Sequence, residues 1–343
     1  MRALVSLAHG PRQVVLQELP TPTDPGPGQV ILRVRAVGVC GSDLHVYHGT
    51  ESYPMRYPVA LGHEMTGEVT AVGPGVDDLH PGDRVVSETA YAVCGQCLLC
   101  RQGYYNLCPE RLGFGALVHG GMADFVVTRA AICHRVPDTV DEVAAALTEP
   151  TSVAFHGLTV NTRIIPGDTV VVIGPGPVGL MAVQVARLLS PRHLAVLGTG
   201  ADEARLRLAL TFGADRVYTD SREAVSDLKR AGFGHGADVI IDAAGVTATL
   251  APALEMVRPG GQIPKIGWGP EVPTFGLDPL VAKAVRLHGS FSHNWETWER
   301  VLALMARGDL DPARIAVTYP FEAWERGFQA MASLEIGKAV LTL

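Results

Sequence analysis

The sequence predicts an α/β protein in two parts, a β-rich region followed by a doubly wound parallel sheet. Three observations predict it. Residues 2 to 135 carry short β-type runs divided by Gly, Pro and Asp turns. From about residue 169 the order becomes strand, glycine turn, helix, and this alternation repeats to about residue 290. The chain's 343 residues exceed the usual size of one hydrophobic core and suit two domains.

In the β-rich part the runs are VILRVRAVGVC, EVTAVG, DRVVSE and ADFVVT, each bounded by turn formers. The second part opens with TVVVIG, the turn GPGPVG, and LMAVQVARLL, whose apolar positions recur at helical spacing. HLAVLG, a helix through EARLRLALTFG, DRVYTD and a helix over EAVSDLKRAG come next. ADVIIDAAG, a helix near TLAPALEMV, QIPKIGW and VRLHGSFS complete the series. Strands alternating with helices imply a parallel sheet, because each crossover must carry the chain back to the same end. Past residue 290 a helix through WERVLALMARG leads to a final strand, KAVLTL, suited to rejoin the β-rich part. The expected domains are therefore 1–152 with 291–343, and 153–290.

Apolar residues at 47% and charged residues at 18% fit a globular chain with ample core. A net charge of −7, with no run among the 28 Lys and Arg, argues against a nucleic-acid partner. The N-terminus lacks a signal-peptide pattern and no apolar stretch reaches membrane-spanning length, so a soluble cytoplasmic protein without a membrane partner is expected. Four of six cysteines fall in CGQCLLCRQGYYNLC. Cys94, Cys97, Cys100 and Cys108 give C-x2-C-x2-C-x7-C, a tetrahedral four-thiolate pattern without an open coordination position. Such a site braces a lobe and does no chemistry. Two disulfides are the alternative, but closely spaced CxxC pairs seldom meet structural disulfide geometry. Cys133, left over, reads as buried structure.

Gly174, Gly176 and Gly179 form G-x-G-x-x-G between an apolar strand and an amphipathic helix that Pro177 and Val178 begin. The first two positions let backbone N–H groups at the helix N-terminus approach a pyrophosphate, and the third lets helix pack on strand. An ordinary βα turn is the alternative, but the context favours a dinucleotide. The acid that usually binds the adenosine ribose is absent: Gly200 occupies its place. Arg205 and Arg207 could meet a 2′-phosphate, whereas Asp202 could bind the ribose hydroxyls of NAD. The balance favours NADP slightly.

Cys40 in VCGSDLHVYHG, with His63 and Glu64 in ALGHEMTGEVTAVG, can build a zinc site whose fourth position stays open for an alcohol oxygen. Together with CGSDxH at 40–45, GHE at 62–64, PGDRV at 81–85, the cysteine lobe, TEP at 148–150 and the glycine turn, this ordered set resembles the zinc-dependent medium-chain dehydrogenases, the alcohol and polyol dehydrogenase superfamily, along essentially the whole chain. The resemblance implies a GroES-like catalytic domain completed by C-terminal residues, a Rossmann cofactor domain, an active site in the cleft between them, and two zinc ions per chain. By position it implies Cys40, His63 and Glu149 as catalytic zinc ligands, with Glu64 as an exchanging or neighbouring carboxylate. Glu149 stands where simple alcohol dehydrogenases often carry Cys and where polyol dehydrogenases carry Glu; a helix-end acid is the plainer reading. Asp43 would orient the ligand histidine, and Ser42 and His45 would relay a proton to solvent. Phe114 matches a pocket aromatic. Ser292 and His293 replace the Arg-Tyr pair of sorbitol dehydrogenases, which makes His293 a candidate for a substrate hydroxyl.

The implied activity is hydride transfer between NAD(P) and a secondary alcohol of a polyol, sugar or cyclitol. An amino-alcohol or aminocyclitol dehydrogenase of the threonine type is the rival enzyme, and a non-catalytic zinc- and nucleotide-binding sensor the rival of another class. Subunit pairing near 285–292, as is common in this family, would make a homodimer or homotetramer.

Overall fold

The computed structural model describes residues 1–231, 234–269 and 271–343. Its chain forms two compact units: Met1–Glu149 with His293–Ser333 and Lys338–Leu343, and Pro150–Ser292 with Leu334–Gly337. Among the described residues, no helix is long and apolar enough to cross a membrane.

The main sheet of the first unit runs in the order Cys133–Arg135, Arg84–Ser87, Glu64–Val72, Gln29–Gly38, Lys338–Thr342, Ala316–Pro320, and Phe125–Arg129 also pairs with Gln29–Gly38. The long strand Gln29–Gly38 is the hub. Along it only Arg33 is exposed, and buried residues fall on both faces, as expected of a strand covered on either side. Two register irregularities against Glu64–Val72, at Ile31/Leu32 and Val34/Ala36, bend the pair as bulges do. The register then sets Gly38 opposite Glu64 on one side and Val340 on the other. That single position gathers chain from three distant stretches. Just beyond it, Cys40 caps the helix Gly41–His48, with Asp43 closing a capping box and Gly49, at φ 68°, ending the helix. The strands Val14–Glu18, Arg2–Ser6 and Val59–Ala60 form a separate small sheet.

In the second unit the strands lie in the order Arg216–Tyr218, His193–Leu197, Thr169–Ile173, Ala237–Asp242, Val257–Lys265, Arg286–Gly289, and each described neighbouring pair is parallel. All five residues of Thr169–Ile173 are buried, as expected of a central parallel strand covered on both faces. Helices Pro177–Leu188, Glu203–Thr211, Ser221–Ala231 and Leu250–Met256 alternate with the strands. The strand order reverses between Thr169–Ile173 and Ala237–Asp242, and doubly wound sheets bind ligands at the carboxyl ends flanking such a reversal. Gly232, last in the stretch predicted as a helix, lies outside the described residues. Elements that pattern reading did not identify include the helices Gly41–His48, Thr148–Thr159 and Trp324–Ala332 and the strand Ala316–Pro320.

Candidate active site

Cys40 ends the hub strand's extension, and its backbone N–H donates to Asp43 Oδ2 at 2.8 Å, which locks the turn that presents the thiol. His63 and Glu64 arrive at the start of the neighbouring strand. The Cys40 Sγ, a His63 ring nitrogen and a Glu64 carboxylate oxygen lie within 4.8 Å of one another. One ion can span that spacing. Glu64 is buried; its Oε1 accepts from Lys338 Nζ at 2.6 Å, while Oε2 is buried without a hydrogen-bond partner. A buried carboxylate oxygen left this way is costly unless a cation meets it. A Cβ on residue 38 would come within 2.0 Å of Glu64 Oε2, so only glycine leaves the carboxylate its place. Packing around His63 opposes its protonation, yet Cys40, Asp43 and Glu149 outweigh that and push its pKa up to about 10. The pocket is built to hold positive charge, and its sulfur, nitrogen and oxygen donors fit zinc.

Glu149 sits in the first turn of the helix Thr148–Thr159 and is not in that close trio. Its Oε1 instead accepts from His293 Nε2 at 3.0 Å, and Trp298 Nε1–H donates to His293 Nδ1 at 2.6 Å. Burial would raise the Glu149 pKa; the His293 hydrogen bond and the nearby His63 and Lys338 outweigh it and hold the carboxyl below its ordinary value. Two expectations change here. Glu64, rather than Glu149, converges with Cys40 and His63, and His293 has both ring nitrogens engaged, so neither is left for a substrate hydroxyl.

Ser42 and His45 lie three apart on the helix Gly41–His48 and so share a face. Thr50 Oγ1 lies 3.0 Å from His45 Nδ1, and Tyr53 Oη donates to the Ser42 carbonyl at 3.0 Å. Phe114 is buried edge-to-face against Tyr91, with ring centroids 5.3 Å apart. Sequence reasoning missed Lys338, Trp298 and Arg111, whose half-buried guanidinium feels the charges of Glu149 and Glu88. For Lys338 a signal existed: a lysine opening an otherwise apolar strand needs a buried partner.

The thiols of Cys94, Cys97, Cys100 and Cys108 lie within 4.8 Å of one another. Sγ separations of 3.9 Å for Cys94–Cys100 and 3.6 Å for Cys94–Cys108 match the edge of about 3.8 Å expected for a tetrahedron of thiolates at about 2.3 Å from zinc. Both are far too long for a disulfide. Backbone N–H groups point at the sulfurs, Cys97 N to Cys94 Sγ at 3.3 Å and Cys100 N to Cys97 Sγ at 3.4 Å, and bonds from the Gln96 and Cys97 N–H groups bring the Cys94 thiol down to about 7. Cys133 Sγ donates to the Arg129 carbonyl, and burial raises its pKa to about 12.

In the second unit Gly174 has φ +88°, and a Cβ on Gly179 would strike the Gly174 carbonyl oxygen at 1.9 Å. Gly176 is the N-cap of the helix Pro177–Leu188, with Pro177 and Val178 in its first turn; a Cβ on it would meet nothing within 4 Å. These are a tight turn, an open approach and a close helix contact, as phosphate binding requires. Gly200 is exposed with open space around it. Asp202 Oδ2 accepts from the Thr199 N–H and hydroxyl at 2.9 and 2.7 Å. Arg205 departs from the phosphate role expected of it: the side chain is buried, and its Nε donates to the Ile336 carbonyl at 2.8 Å. Arg207 is exposed and pairs with Glu203.

Comparison with known proteins gives the same picture. The alcohol dehydrogenase GroES-like domain family matches residues 26–138 and the zinc-binding dehydrogenase family residues 177–307. A sorbitol dehydrogenase of Halalkalibacterium halodurans is 38% identical, covering 100% of this chain and 99% of its own. An L-threonine 3-dehydrogenase of Anaeromyxobacter sp. is 34% identical, with 99% of each chain covered. Among solved structures, a zinc-binding dehydrogenase of Sinorhizobium meliloti bound to NADP superposes with a TM-score of 0.90 at 28% identity, covering 100% of this chain and 99% of that one. An Escherichia coli protein described as a short chain alcohol dehydrogenase, complexed with NADH, gives a TM-score of 0.90 at 27% identity over the same shares. With a zinc-type donor set in one unit and a dinucleotide turn in the other, the chain belongs to the zinc-dependent medium-chain alcohol and polyol dehydrogenases.

Proposed function

We propose that this enzyme reversibly oxidises a secondary alcohol of a polyol, sugar or cyclitol to a ketone with NAD(P). The observation that carries the reading is the convergence of Cys40, His63 and Glu64 within 4.8 Å, with one oxygen of the buried Glu64 left without a hydrogen-bond partner. Those three residues would hold the zinc ion, and Cys94, Cys97, Cys100 and Cys108 would hold a second. When bound, zinc polarises a substrate oxygen and the nicotinamide carries the hydride.

The chain supplies position and a path for the proton. Asp43 pins the Cys40 backbone, and Lys338 holds one oxygen of Glu64 while the other lies buried against Gly38 without a hydrogen-bond partner. Ser42 takes the substrate's hydroxyl proton as it gives up its own to His45 Nε2, the nitrogen left open because Nδ1 faces Thr50, and Nε2–H then releases the proton to water. Gly174, Gly176 and the N-terminus of the helix Pro177–Leu188 receive the pyrophosphate. The open, acid-free position of Gly200 favours NADP, and Arg207, whose exposed pair with Glu203 is worth little, is the arginine that would meet its phosphate. We place the enzyme in the cytoplasm as a homodimer or homotetramer paired through the edge strand Arg286–Gly289, whose outer backbone groups are a template for a second copy; a monomer by light scattering would remove that claim.

The 34% identity to a threonine dehydrogenase supports an amino-alcohol substrate as the second reading. A panel of polyols, sugars, cyclitols, L-threonine and amino sugars, each with NAD and NADP, separates the two by reduced-nicotinamide absorbance. Turnover on polyols, fastest with NADP, is expected. Turnover confined to threonine and amino sugars would move the assignment, and none on any alcohol would end it.

A further inference from the structure

The side chain that holds Glu149 is itself held, and in a chemically specific way. Trp298 is fully buried and His293 nearly so. An indole N–H can only donate, so the 2.6 Å contact from Trp298 Nε1 makes His293 Nδ1 the acceptor. The ring proton of the neutral imidazole then sits on Nε2, which donates to Glu149 Oε1 at 3.0 Å. The opposite tautomer would turn a lone pair toward the carboxylate. The indole cannot easily turn away, because the His134 ring stacks on it at 5.4 Å with planes 10° apart. His134 is itself held at both nitrogens, Nδ1 lying 2.6 Å from Glu299 Oε1 and Nε2 3.4 Å from Glu88 Oε1. Tyr105, from the cysteine lobe, donates to the other oxygen of Glu88 at 2.7 Å. Glu149 in turn acts electrostatically on His63 and Lys338.

We infer that Trp298 and His293 are positioning residues for the metal centre: Trp298 selects the imidazole tautomer, and His293 thereby fixes the position of the Glu149 carboxylate. This rests on the zinc reading above. Groups that orient the surroundings of a metal site typically change its affinity by about tenfold or more when removed.

The test is zinc release from the loaded enzyme into excess 4-(2-pyridylazo)resorcinol, followed by absorbance. Wild type should release zinc in two phases, and the phase missing from C40S belongs to the Cys40 centre. W298F and H293F should quicken that phase by about tenfold and leave the four-cysteine phase unchanged. H293Q, whose amide N–H can take the place of Nε2–H, should stay near the wild-type rate. Unchanged release in W298F and H293F would overturn the inference, and so would equal quickening of both phases, which marks general loosening. If C40S lacks no phase, the zinc reading itself has failed, and the inference with it.

Discussion

Gly38 is the most exacting position at the scale of single residues. A methyl group there would arrive 2.0 Å from Glu64 Oε2, and the obstacle is a buried carboxylate already fixed at its other oxygen by Lys338. Gly38→Ala should therefore lose the zinc of the Cys40 centre and cut turnover by at least about tenfold, while keeping the zinc of the cysteine lobe. Metal analysis of the purified variant reads both outcomes at once. Not every part of this site was legible beforehand. Cys40, His63 and Glu64 stand out in the sequence because their spacing among glycines is chemically unusual, although the resemblance makes Glu149 the third ligand and Glu64 its exchanging neighbour. Lys338 lies 274 residues from its partner Glu64, and no local pattern joins them. A lone histidine in sequence shows nothing of the indole and carboxylate that flank His293.

Among the elements, the parallel sheet was the easiest to read. Strands buried on both faces appear as unbroken apolar runs, as in Thr169–Ile173, and the intervening helices keep their own period. The helix Gly41–His48 was not legible. Its N-cap is a cysteine and its apolar residues do not form a stripe, because its side chains are arranged around a site instead of a core. The strand Val257–Lys265 begins with V-R-P-G-G, and its pairing with Ala237–Asp242 jumps from Val257 to Gln262, so the turn-like residues bulge out of the register. One element-scale contact makes a pH prediction. Asp124 accepts from the Arg2 backbone N–H at 2.6 Å and from its guanidinium at 2.6 Å, tying the first strand to the loop before Phe125–Arg129. Burial pushes the Asp124 pKa up, and the Arg2 bonds outweigh it and leave it lowered. A lowered folded-state pKa gives stability that is present above the unfolded value of about 3.9 and lost as pH falls through the folded value. Asp124→Asn should thus cost about 1 kcal/mol at pH 7 in urea unfolding, the modest scale of a partly exposed pair. The gap from wild type should close below about pH 4. A gap that held constant to acid pH would show that the charge contributes nothing.

Across the whole molecule, the chain forms the first unit in separate passes. Cys40, His63, Glu64 and Glu149 come before the nucleotide unit in sequence, whereas His293, Trp298 and Lys338 come after it, and all belong to the first unit. The metal pocket is complete only when the last strand, Lys338–Thr342, pairs beside Gly38. The two-part organisation could be read from the change in pattern near residue 169, but this closure by the C-terminal residues depends on tertiary pairing. The chemical purpose proposed for it is a cation held by one thiolate, one imidazole and one carboxylate in the first unit. Zinc content per chain, measured together with NAD(P)-linked alcohol oxidation in wild type and His63→Ala, tests that most directly. Two zinc ions per chain should fall to one, with oxidation abolished; two ions retained in His63→Ala, or oxidation surviving the loss of one, would contradict a metal-dependent reaction at this centre.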